Sequence, residues 1–90
     1  MPTRVTLLER YLQQLKFAET YLKKRGYNEK SEEIKKSVRI IEESDSSYPA
    51  RTLAGLTLLC ELMDYCQEKP ELLELIPYLF HDSFKNTVIN

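Results

Sequence analysis

The stretch LAGLTLLCELMDYC, residues 53–66, decides the fold, because ten of its fourteen residues have apolar side chains and, Gly55 aside, only the polar Thr57, Glu61 and Asp64 interrupt them. Together with Glu68, these three polar residues recur at i, i+4, i+7 and i+11, the spacing of one narrow wet stripe on a helix. A helix from about Pro49 to Glu68 is therefore expected to be central, with Leu56, Leu59 and Leu62 in the core and neighbours or a second chain around most of it. The run is too short, and too interrupted by acids, to span a bilayer.

Working outward, the preceding segments carry helical patterns of their own. Leu8, Leu15 and Leu22 repeat every seven residues, flanked by Val5, Tyr11, Leu12 and Ala18, which predicts a first helix over about 3–25. Gly26 supplies the left-handed residue that ends it, Tyr27 is placed to pack back on Leu22, and Asn28 is expected to cap the next helix. That second helix, about 29–44, sets Ile34, Val38 and Ile41 on one face and charges on the other. The polar break Ser44-Asp45-Ser46-Ser47 reads as a loop, with Pro49 near the start of the third helix. Pro70 opens a fourth helix over about 70–85 that Pro77 should break into two pieces, 70–76 and 77–85. Phe80, Phe84 and Val88-Ile89 would complete the apolar cover. The expected architecture is a single all-α domain over 1–90, a compact antiparallel four-helix bundle.

Ninety residues can bury only about 60–65% of the surface that the unfolded chain exposes, so the stability margin should be small. Residues 1–40 hold ten basic against five acidic side chains and residues 41–90 three against nine, giving +5 and −6 within a net charge of −1. One half can therefore attract an acidic partner, or the two halves can meet head to tail between copies. Cys60 and Cys66 sit six residues apart on one helix, about 9 Å along its axis, too far for a disulfide, and read as reduced core residues. Met1-Pro2-Thr3-Arg4 leads into an amphipathic helix rather than a signal peptide, so a cytoplasmic location is expected, with the nucleus also open.

Chemistry-bearing groupings are missing from the sequence. His81 and Asp82 are neighbours in a helical pattern and point about 100° apart. Cys60 and Cys66 diverge too widely to converge with His81 on a metal. No nucleophile, base and orienting group share a spacing, and Gly26 and Gly55 stand too far apart to build a phosphate cradle. No enzyme activity, cofactor, metal or small-molecule substrate is expected.

The segment FAETYLKKRGYNEKSEEI, residues 17–34, carries the most information about partners. Phe17 lies about 180° around the first helix from Leu8, away from the core stripe, and something should cover it. Arg10, Gln14, Tyr21 and Lys24 share its side, and Tyr27 follows in the turn. Together they form the expected partner-binding face, aromatic anchors bordered by positive charge, although the fourth helix or the C-terminal tail could equally cover Phe17. Phe17, Ala18, Tyr21-Leu22, Gly26-Tyr27, Ser31 and Ile34 also resemble the lissencephaly-homology (LisH) helix–turn–helix motif, over about a quarter of the chain. That resemblance implies homodimerisation. The chain departs from the motif at Lys30-Ser31, where a small–alanine pair is usual, and at Lys35-Lys36-Ser37, where an acid beyond the aliphatic position is usual. A protein–protein interaction module, self-associating or docking on a larger protein, is the reading that follows. Nucleic-acid binding is the alternative, using Lys23, Lys24, Arg25, Lys30, Lys35, Lys36 and Arg39 with Tyr21 or Tyr27 stacking on bases. The low pI of about 5.8 and the acids among those cations weigh against it.

Overall fold

The computed structural model describes residues 6–79. Among them the regular elements are all helical: α1 (Leu7–Lys24), α2 (Asn28–Glu43), α3 (Tyr48–Gln67) and a 3-10 helix, Pro70–Leu75, that continues as helical backbone through residues 76–79. Their packing makes an all-α bundle. His81, Asp82, Phe80, Phe84 and Val88-Ile89 lie outside the described residues, as does the span 3–5 expected to open the first helix.

Local chemistry fixes each helix end. Thr6 starts α1 in extended backbone, its hydroxyl accepting from the Glu9 amide at 3.1 Å while the Glu9 carboxylate accepts from the Thr6 amide at 3.0 Å. This reciprocal box satisfies two donors that the first turn would leave orphaned. At the other end Gly26 has φ +91°, Tyr27 N–H donates to the Leu22 carbonyl at 2.9 Å and Gly26 N–H to the Lys23 carbonyl at 3.1 Å. Both bonds of the glycine-dependent stop are thus present, as the sequence predicts. Asn28 does not cap α2. Tyr27 occupies the cap position without a side-chain bond, because the tight exit from α1 starts the next helix at once. Ser47 caps α3, accepting from the Ala50 amide, with Pro49 in the first turn where its missing N–H costs nothing.

Cross-helix contacts give the chain directions. Ser31 Oγ donates to the Glu19 carbonyl and Lys16 pairs with Glu42, so α1 and α2 run antiparallel. Arg51 of α3 donates to the carbonyls of Ile41 and Glu42, and Lys30 lies over the Tyr65 ring, so α2 and α3 are antiparallel too. The Arg51 guanidinium supplies the cation that the C-terminal turn of α2 lacks, donating to the Glu42 carbonyl and sharing the Ile41 carbonyl with the Ser44 amide. Residues 71–78 then return along α1, with Glu71 at Tyr27, Glu74 at Tyr21 and Arg25, and Tyr78 at Phe17.

The core joins Leu15, Leu22, Ile34, Leu59, Leu62, Leu72, Leu75 and Leu79, all sealed from solvent. Helix α3 packs against α1, α2 and the 3-10 helix, yet it is not enclosed as the sequence predicts. Only Gly55, Leu59, Leu62 and Cys66 are buried on it, against seven residues on α1. Leu56 is partly exposed, Leu53 is 64% exposed, and Cys60 is an exposed free thiol rather than a core residue. The reason is that α2 rests chiefly on α1, so it cannot also wrap the outer flank of α3. Gly55 lets α1 approach, since a Cβ there would already stand 3.4 Å from that of Tyr11.

The expected break in the last element is a change of winding between Leu75 and Ile76, one residue before the predicted boundary at Pro77. Pro77 falls in the first turn of the new winding, where a missing N–H breaks no helical bond.

Urea unfolding followed by circular dichroism should separate the two faces of α3. Leu59→Ala and Leu62→Ala should each cost about 2–5 kcal/mol, whereas Leu53→Ala should stay within about 0.5 kcal/mol. Gly26→Ala should cost about 1–2 kcal/mol, because it forces an L side chain into left-handed backbone.

Candidate functional site

Two surfaces compete for the role of interface. The first is the basic-aromatic side of α1. Of its six predicted residues, Lys24 is exposed, Phe17 is 48% exposed, Arg10, Tyr21 and Tyr27 are half-buried, and Gln14 is buried at 6% exposure. Gln14 leaves the surface on the row of α1 that carries the buried Tyr11 three residues before it and the buried Ala18 four after it.

The return segment engages most of what remains. Tyr21 OH donates to the Glu74 carboxylate at 2.7 Å, and Arg25 reaches the same oxygen at 2.6 Å with its guanidinium 4.7 Å from the centre of the Tyr21 ring. Tyr27 OH donates to Glu71. The Phe17 ring stands 6.4 Å from that of Tyr21 and 5.9 Å from that of Tyr78, tilted against both. The aromatic pair is therefore extended to a trio, with Tyr78, 59% exposed, as its outer member. At the end of the bundle Tyr65 meets Tyr27 edge-on and is approached by Lys30 and Lys69, whose ammonium nitrogens stand 4.8 and 4.7 Å from its ring centre.

These contacts shift protonation in matched directions. Donation to Glu71 pushes the Tyr27 phenol up to about 12 and holds the Glu71 carboxyl below its ordinary range. Donation to Glu74 likewise raises Tyr21, while the Tyr21 hydroxyl and then Arg25 lower Glu74. Burial raises the Cys66 thiol, so it stays protonated and unreactive. Among the described residues no three His, Cys, Asp or Glu side chains gather as metal ligands would, and no helix is long and apolar enough to cross a membrane.

The second surface is a groove of about 450 Å³ between α2 and α3. Ile41, Ala54 and Leu58 line it together with Ile40 and Leu53, which are 69% and 64% exposed. Comparison with family models, with curated proteins and with solved structures finds no match. The helix–turn–helix over residues 17–34 can therefore be read only from its own geometry. Ala18, Leu22, Ser31 and Ile34 are buried, and Ser31 is small because its hydroxyl bonds the α1 backbone at Glu19, 2.9 Å away. These contacts close the α1–α2 hairpin within one chain.

Sequence reasoning did not anticipate the groove. Two signals were present: Ile40 stands beside Ile41, about 100° off the core stripe of α2, and α3 carries more apolar side chains than one face can hold.

The phenol shifts set a pH dependence. Tyr27 holds its proton more tightly folded than unfolded, so its contribution is complete below the ordinary value of 10 and disappears as pH rises through about 12. Thermal melts between pH 8 and 12 should show a fall in midpoint above pH 10 that is shallower in Tyr27→Phe. Superimposable profiles would show that the Tyr27–Glu71 bond does not hold in solution.

Proposed function

We propose that this chain is a non-enzymatic protein–protein interaction module that docks another polypeptide through the groove between α2 and α3. The observation that carries this reading is the pair Ile40 and Leu53, two large aliphatic side chains each about two-thirds exposed on the lining of one open groove. Leaving both in water forgoes burial worth about 1.5–3 kcal/mol for each side chain, which a partner can recover.

A second reading keeps the interface on α1, favoured by the half-exposed rings of Phe17 and Tyr78. Homodimerisation, which the LisH-like segment implies, is a possible outcome for either surface. Nucleic-acid binding is less well supported, because the hydroxyls of Tyr21 and Tyr27 bond carboxylates, Arg25 pairs with Glu74 and Lys30 with Glu33. A reducing compartment, cytosolic or nuclear, suits the free Cys60 and Cys66.

Benzophenone photocrosslinking in cells, from positions 53, 17 and 32 in turn, tests the assignment. Position 53 should give a discrete adduct, destroyed by protease and resistant to nuclease, that exposed Glu32 on α2 does not give. An adduct from position 17 alone would move the interface to α1, a nuclease-sensitive one would favour nucleic acid, and equal labelling from all three would sink the proposal.

A further inference from the structure

We infer that the occupant of the α2–α3 groove is a basic amphipathic helix of another protein, an assignment that rests on the interaction reading above and gives its partner a chemistry. The first argument is shape. The small side chains of Ala50 and Ala54 line the groove together with the larger Leu53 and Leu58, so a helical backbone can come close at the alanines while its aliphatic side chains insert. Nine residues line the groove. That suits a single helix read through anchors at i, i+3, i+4 and i+7.

The second argument is charge. From Thr52 to Glu68 helix α3 has no lysine or arginine, while Glu61 lines the groove and Asp64 lies one turn further along the same exposed stripe. Arg51, at the head of α3, is committed to the carbonyls of Ile41 and Glu42. On the α2 rim Lys36 and Glu43 stand four residues before and three after Ile40 and offset each other. The rim is therefore acidic on one side and balanced on the other. A helix with lysine or arginine flanking its apolar stripe meets attraction there, and an acidic helix meets repulsion. A two-fold contact would bring the same patch, with its acidic row, against its own copy.

The test uses three fluorescein-labelled 20-residue peptides with the same leucine stripe and lysine, glutamine or glutamate on the polar face. Anisotropy titrations with the full chain should rank lysine above glutamine above glutamate, with at least a tenfold gap between the extremes that narrows from 50 to 200 mM salt. Leu53→Asp, at an exposed position, should weaken the lysine peptide at least tenfold with helicity unchanged by circular dichroism. The double variant Glu61→Lys, Asp64→Lys should reverse the ranking. Equal affinities that Leu53→Asp abolishes would overturn the basic partner and leave the interaction reading standing. Binding indifferent to Leu53→Asp, or no binding at all, would overturn both. A wild-type dimer in light scattering that Leu53→Asp converts to monomer would assign the groove to a second copy and overturn the inference.

Discussion

Burial of the broad stripe on α1 is the constraint on which the rest of the structure depends. Leu8, Leu12, Leu15, Ala18 and Leu22 form one continuous apolar side with Tyr11 at its edge, and α2, α3 and the return segment are arranged around it. Each neighbour contributes a shorter stripe: Ile34, Val38 and Ile41 from α2, Leu59, Leu62 and Cys66 from α3, and Leu72, Leu75 and Leu79 from the last element. In a domain this small no element is held by a core of its own, so a loss on α1 weakens every interface together.

The same constraint divides the surface. Residues 70–79 are held by leucines inserted into the core, and the Tyr21–Glu74, Arg25–Glu74 and Tyr27–Glu71 contacts decorate their outer edge. Exposed polar contacts of this sort contribute little to stability and serve mainly to fix the register of the segment along α1. In taking that position the segment engages much of the basic-aromatic side. Among the described residues no equivalent element lies over the opposite junction, between α2 and α3, and there Ile40 and Leu53 remain exposed. An unmet apolar demand on one flank, with acids beside it, is the physical basis for assigning a partner to that flank.

Much of the fold was legible because local signals agreed. Gly26 followed by Tyr27 ended α1 where expected, the seven-residue leucine repeat identified its buried side, and Leu59 and Leu62 entered the core. Capping was less legible: Thr6 and Glu9 form a box at the head of α1 that the pattern did not single out, and Asn28 is inside α2 because Tyr27 serves both as exit and entry. Of the interface residues, Phe17 is half-exposed as its position on the wheel requires, while Gln14 is buried beside the core positions Tyr11 and Ala18. Cys60 is at the surface for a related reason, since none of the described elements packs over the outer side of α3.

The sequence by itself determined the helices, the hairpin between the first two and the excess of apolar surface on the third, because periodicity, glycine conformation and composition act over a few residues. It could not say where that excess would be left uncovered. That depended on whether α2 leaned toward α1 or toward α3, and on which groove residues 70–79 entered. Both are settled by competition among helices for the same buried stripe, a property of the assembled bundle and of no single segment.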